Sequence, residues 1–248
     1  MPSKSTDLKK GGFTFKRFFV AHDSSPMQVT TDSCLLGAWA PLQSNPKRIL
    51  DIGCGCGVIA LMLAQRLENQ DHSIDAIDID PQAVIQCQQN IAQVPFAGVH
   101  AYYADIKQFR INDAMNYDVI VTNPPYFNVA VECRSSQRQL ARYTTSLDHQ
   151  QLLDAVTRLL APTGVFCLVL PYHLATQFRL LCQDNQLYLQ QVMQVKYNAN
   201  KDFSLTLMAF SRQQNNNPME QQLCMRDDDG RYSPAFRQLL ADFYLFRK

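Results

Sequence analysis

The chain has 248 residues, 46% hydrophobic and 18% charged, with a net charge of +1. This length fits one large domain, or one domain with a small appendage, and the composition is that of a globular protein. No apolar run approaches the ~20 residues that span a bilayer, and the charge balance excludes a polycation.

In chain order, residues 1–46 form a basic and aromatic lead-in. Lys4, Lys9, Lys10, Lys16 and Arg17 face only Asp7 among the first twenty residues. The opening MPSKSTDLKKGGFTF is polar where a signal peptide needs an apolar core, so a cytoplasmic location is expected. GFTFKRFFVAH (12–22) and TTDSCLLGAWAP (30–41) have mixed patterns to which no element is assigned. Phe13, Phe15, Phe18 and Phe19 are read as packing groups, and His22 and His149 as structural.

From Lys47, strand and helix signals alternate. RILDIG (48–53), SIDAID (73–78), VHAYYAD (99–105), YDVIVT (117–122) and VFCLVLP (165–171) read as strands. VIALMLAQRL (58–67), the segment opening at Asp80-Pro81, LDHQQLLDAVTRLL (147–160) and HLATQFRLLCQ (173–183) read as helices, with Asp80 and Asp148 as N-caps. YLQQVMQVKY (188–197) and FSLTLMAFSR (203–212) alternate as two strands without a crossover helix. The fold class is therefore α/β: a doubly wound, mostly parallel seven-stranded sheet with a terminal antiparallel hairpin. Residues 47–212 form the main domain. Residues 213–248 form a loop, beginning in the Gln- and Asn-rich stretch 213–218, and a helix from Ser233-Pro234 that docks on the core.

Eight cysteines contain no C-x-x-C pair, which argues for reduced thiols acting as small core residues and against a metal site.

Ligands of such sheets sit at the carboxyl ends of the strands. The first strand ends in Asp51-Ile52-Gly53-Cys54-Gly55-Cys56-Gly57, where alternate glycines permit a tight turn and close ligand approach. Asp78 ends the second strand, where a carboxylate suits a ribose diol. Asp105 ends the third, placed to accept from an exocyclic amine such as that of adenine. Residues 55–60 also fit the dinucleotide pattern G-x-G-x-x-A. Asp51 counts against it, since a carboxylate there suits an ammonium-bearing cofactor and repels a pyrophosphate. S-adenosylmethionine is the expected cofactor.

The fourth strand runs into Asn123-Pro124-Pro125-Tyr126. An amine conjugated to a ring is a poor nucleophile because its lone pair is delocalised. The Asn123 side-chain oxygen and the Pro124 carbonyl can accept its two N–H bonds and free the lone pair. Pro125 stiffens the loop, and Tyr126 offers a stacking face worth roughly 1–3 kcal/mol. A second basic stretch, Arg134, Arg138 and Arg142, contains no acid.

DIGCGCG, DIDP, YADI and NPPY in this order resemble the amino-methylating class I S-adenosylmethionine-dependent methyltransferases. NPPY is shared by enzymes acting on adenine, cytosine, guanine of ribosomal RNA and protein glutamine. GFTFKRFFVAHD, MQVTTDSCLLGAWA, ARYTTSLDH and YSPAFRQLLADFYLF resemble the bacterial tRNA1(Val) (adenine(37)-N6)-methyltransferase family. That resemblance implies methylation of the adenosine 3′ of the anticodon in valine tRNA. It implies Asn123, Pro124, Pro125 and Tyr126 as the target-amine pocket. Thr31, Asp32, Asp51, Gly53, Gly55, Asp78, Asp105 and Asn123 are implied as cofactor contacts. Lys9, Lys10, Lys16, Arg17, Arg134, Arg138 and Arg142 then become candidate contacts to the phosphates of the anticodon loop, with no metal and no membrane involved. The competing readings are a protein-glutamine or ribosomal-RNA amino-methyltransferase and, from another class, a dinucleotide-dependent oxidoreductase.

Overall fold

The computed structural model describes residues 10–23, 28–42, 45–110, 116–124 and 148–246. An antiparallel hairpin, β1 (Gly12–Thr14) and β2 (Phe19–Ala21), precedes helix α1 (Thr31–Trp39). Strand and helix then alternate through β3 (Arg48–Ile52), α2 (Val58–Arg66), β4 (Ser73–Asp78), α3 (Pro81–Ile91), β5 (Val99–Tyr103) and β6 (Tyr117–Thr122). There follow α4 (His149–Leu159), β7 (Leu160–Pro171), α5 (Tyr172–Asp184), β8 (Tyr188–Lys196), β9 (Phe203–Ser211), β10 (Met219–Cys224) and α6 (Pro234–Leu239).

One sheet holds β3 to β10 in the order β10-β8-β9-β7-β6-β3-β4-β5, and only β9 runs antiparallel to its neighbours. The chain leaves β3 toward β4 and β5, then returns to place β6 on the other side of β3. The order of winding therefore reverses between β3 and β6, and their carboxyl ends flank the resulting crevice. Successive strand residues alternate faces. Ile49, Val119, Val121 and Cys167 join α1, α2 and α3 on one side. Leu50, Ile120, Phe166 and Leu168 join α4 and α5 on the other.

Asp80 caps α3 by accepting from Gln82 N–H, with Pro81 in the first turn. Asp148 and Gln151 form a reciprocal capping box on α4. All seven strands read from the sequence are present, and β10 adds an eighth at the edge beside β8. Its Met219 to Gln222 are exposed, so no alternation of apolar residues announces it. β7 also starts earlier than expected. Leu160 pairs with Tyr117 and Val165 with Val119, so an irregular stretch absorbs Ala161 to Gly164, including Pro162, which has no N–H to donate.

The lead-in holds more structure than its pattern suggests. Helix α1 buries Cys34, Leu35 and Leu36 as well as Ser33, Gly37 and Trp39. A helix enclosed on most sides shows little apolar periodicity. The hairpin and the C-terminal segment share one aromatic cluster. Phe15 stacks on Phe18 at 4.5 Å, and Phe13 lies 5.2 Å from Tyr244. Phe236, Leu240 and Phe243 are buried in the same core.

Candidate active site

The turn after β3 is held by the neighbouring strand. The Gly53 and Cys54 N–H groups both donate to the Ile77 carbonyl, at 2.8 and 3.0 Å. Gly55 N–H donates to Asp78 Oδ2 at 2.9 Å, and Asp80 N–H donates to Asp78 Oδ1 at 2.9 Å. Asp78 thus braces the glycine turn through both of its oxygens. Burial pushes its carboxyl above the usual range.

Gly53, Gly55 and Gly57 all have positive φ, but they serve two purposes. A Cβ added to Gly53 or Gly55 meets nothing within 4 Å, whereas one on Gly57 would lie 2.6 Å from Cys87 Sγ. The first two leave open space above the turn, and the third lets the turn close on α3. Gly57→Ala is expected to cost about 2–4 kcal/mol of stability from left-handed strain plus overpacking. Gly55→Ala carries only the strain, about half as much, and urea unfolding of the two variants measures the difference.

Asp51 lies fully buried in β3. Its Oδ2 accepts from Ala60 N–H at 3.1 Å, while Oδ1 has no hydrogen-bond partner among the described residues. Burial pushes its carboxyl up to about 7; the Ala60 N–H opposes that shift and the nearby Asp78 charge adds to it. Asp105 lies two residues past β5. Its Oδ1 accepts from Lys107 N–H at 3.0 Å, and its Oδ2 lies 3.4 Å from Lys107 Nζ. The turn carrying Asp105 is fastened from α4, where Arg158 donates to the Phe109 and Ile106 carbonyls at 2.8 and 3.1 Å.

Across the crevice, Thr122 Oγ1 donates to the Ile52 carbonyl at 2.9 Å, so the ends of β6 and β3 are tied together. Asn123 follows immediately. Its Nδ2 donates to Ser33 Oγ at 2.9 Å, and Pro124 is buried. Thr31 and Asp32 lie in the first turn of α1. The structure therefore brings Asp51, Gly53, Gly55, Asp78, Asp105, Asn123 and the start of α1 to one edge of the sheet. Pro125, Tyr126, Lys9, Arg134, Arg138 and Arg142 lie outside the described residues.

The remaining lead-in cations divide. Lys10 is exposed. Lys16 Nζ donates to the Ala241 carbonyl. Arg17 donates two hydrogen bonds to Glu68, at 2.6 and 2.8 Å, with its guanidinium 5.1 Å from the centre of the Phe96 ring. Among the described cysteines, only Cys224 is not buried, and burial pushes the Cys34 and Cys56 thiols up to about 12. Among the described residues, no group of three or more His, Cys, Asp or Glu side chains converges as metal ligands do, and no helix is long and apolar enough to cross a membrane.

Two supporting residues escaped the sequence reading. Ser33 lies inside a segment to which no helix was assigned. Asn90 is 1% exposed and fully used: Nδ2 donates to the Ala21 and Cys56 carbonyls, both at 2.8 Å, and Oδ1 accepts from Ala21 N–H at 3.0 Å. It staples β2 to the glycine turn. Its signal was present, because Asn90 falls in helical register with buried Ala83 and Cys87, and a core amide needs partners.

A family model described as a methyltransferase domain matches residues 43–223. The fold resembles that of a predicted O-methyltransferase, Atu636 from Agrobacterium tumefaciens, with a TM-score of 0.64 at 14% identity, covering 86% of this chain and 96% of that one. Fold and strand-end groups together define a class I, Rossmann-like methyltransferase. The chain is 44% identical to the tRNA1(Val) (adenine(37)-N6)-methyltransferase of Proteus mirabilis, over 98% of this chain and 97% of that protein. It is 47% identical to the protein of the same name in Pectobacterium carotovorum, over 96% of each. The chain belongs to the tRNA1(Val) (adenine(37)-N6)-methyltransferase family.

Proposed function

We propose that the protein transfers a methyl group from S-adenosylmethionine to the N6 amine of adenosine 37 in a valine tRNA, in the cytoplasm. The observation that carries this reading is the position of Asn123, one residue beyond the tie between β6 and β3 and beside the open turn at Gly53 and Gly55. The residues fit the cofactor: a buried carboxylate with one unpartnered oxygen suits an ammonium group, and the open turn admits a close ligand.

When bound, S-adenosylmethionine supplies an electrophilic methyl group on a sulfonium. Asp51 holds the ammonium end, with Thr31 and Asp32 closing over the same end. Asp78 accepts from the ribose hydroxyls, and Asp105 accepts from the adenine amine. The Asn123 Oδ1 and the Pro124 carbonyl accept the target amine's two N–H bonds, which directs its lone pair toward the methyl group. Tyr126 stacks on the flipped base and Pro125 stiffens the loop. The proton leaves after attack, so no strong base is needed.

Lys9, Lys10, Arg134, Arg138 and Arg142 are assigned to the RNA phosphates. Lys16 and Arg17, whose charges already meet the Ala241 carbonyl and Glu68, are reassigned to holding the hairpin in place. Residues 1–46 and 213–248 are taken as segments completing the 47–212 domain, supported by their shared core. Replacing Arg134, Arg138 and Arg142 with glutamine is expected to weaken tRNA binding and to reduce the log–log salt slope by about 2, at roughly 0.7 per single-strand phosphate contact. An unchanged slope removes them from the interface.

Mapping the methylated nucleoside after incubating bulk tRNA with enzyme and radiolabelled donor tests the function. N6-methyladenosine at position 37 is expected. Label in protein and none in tRNA would overturn the reading in favour of a glutamine target.

A further inference from the structure

Asn123 can act as an acceptor only if its amide presents oxygen to the substrate, and an amide can rotate to present either end. The structure contains a device that fixes this choice. Asn123 Nδ2 donates to Ser33 Oγ at 2.9 Å, and Ser33 Oγ lies 3.2 Å from Thr30 Oγ1. Thr30 is the N-cap of α1, and its Oγ1 accepts from Ser33 N–H at 3.3 Å. The hydroxyl of Ser33 is thus held between the helix cap and the amide, and its residue is only 8% exposed. A hydroxyl whose hydrogen points to Thr30 offers Asn123 a lone pair, so the amide nitrogen is the end that turns toward it. Oδ1 is then left on the opposite side.

We propose that Ser33 is the positioning residue of the target-amine pocket: it takes the Asn123 amide nitrogen and so commits the carboxamide oxygen to the substrate amine. This rests on the function proposed above. The same helical turn carries Thr31 and Asp32, assigned to the donor, so one turn serves both ends of the transfer. Ser33 touches neither reactant and acts through Asn123 alone.

The test is a double-mutant cycle read by single-turnover methylation of tRNA, with donor affinity measured by calorimetry. Ser33→Ala is expected to lower the rate about tenfold, with the donor dissociation constant within about twofold of wild type and the melting temperature within about 2–3 °C, the scale of one lost hydrogen bond. Ser33→Thr, which keeps the hydroxyl, should recover most of the rate. In an Asn123→Ala background, Ser33→Ala should change the residual rate less than about twofold, because the group it positions is gone. The same tenfold loss in both backgrounds would overturn the proposal, as would a loss confined to donor affinity. Full activity of Ser33→Ala beside an inactive Asn123→Ala would remove the Ser33 role and leave the pocket reading intact. Wild-type turnover by Asn123→Ala would remove the pocket reading, and the Ser33 role with it.

Discussion

Asn123→Ala is expected to lower turnover by about 10²–10³-fold while leaving donor affinity within about threefold of wild type. The magnitude follows from removing one preorganised polar group aimed at the reacting centre, an effect of roughly that size in other enzymes. The side chain does not hold the fold at this point. Thr122 Oγ1 and the ladder between β6 and β3 fix the strand end. The alanine variant therefore keeps the strand and the glycine turn and loses the acceptor together with the single hydrogen bond from Asn123 Nδ2 to Ser33 Oγ. Single-turnover methylation and donor titration calorimetry separate the two effects. Equal losses in both would assign Asn123 to donor binding.

Asp51→Asn is expected to act in opposite directions on stability and on binding. In the unfolded chain the Asp51 carboxyl titrates near 3.9, and in the fold burial pushes it to about 7. The folded state therefore binds the proton more tightly. Its contribution to stability is fully present below about pH 4 and is lost as pH rises through 7. A shift of about 3 units corresponds to ~4 kcal/mol of penalty on the ligand-free protein above pH 7. The asparagine variant has no charge to bury, although its new amide N–H groups lack an acceptor. It should be more stable than wild type at pH 8 by about 1–3 kcal/mol, and that advantage should vanish near pH 4. Donor affinity should fall about 10- to 100-fold, the scale of a lost charge-assisted hydrogen bond. Wild-type affinity should also tighten between about pH 6 and 8 as Asp51 ionises, and the variant's should not. Thermal melts and calorimetry across that range decide it; a flat wild-type profile would exclude an ionic contact at Asp51.

The parallel sheet was legible because its strands are buried on both faces, so that ILDI and VIVT read as short, mostly apolar runs. The caps at Asp80 and Asp148 were legible because capping is local chemistry. What stayed hidden depends on distant partners. Helix α1 lacks an amphipathic stripe because it is enclosed, and β10 lacks one because it is an exposed edge. The three acids were recognisable from their positions at successive strand ends. The bracing of the glycine turn by Asp78 was not, since a ligand carboxylate and a structural one have the same letter. Ser33 and Asn123 are 90 residues apart, and no pattern in the chain connects them.

The aromatic cluster that joins the hairpin to the C-terminal segment also sets an order of events during synthesis. Lys16 N–H donates to the Phe243 carbonyl at 2.8 Å, and the Lys16 side chain reaches Ala241, 225 positions away. At roughly 5–20 residues per second, the ribosome makes the second partner about 10–45 s after the first. Within that interval the hairpin can already meet Asn90, Phe96 and Glu68, but its contacts with Phe243 and Tyr244 wait for the C-terminal segment. The aromatic cluster therefore closes in two stages, first against the residues around Asn90 and Phe96 and then against the C-terminal segment.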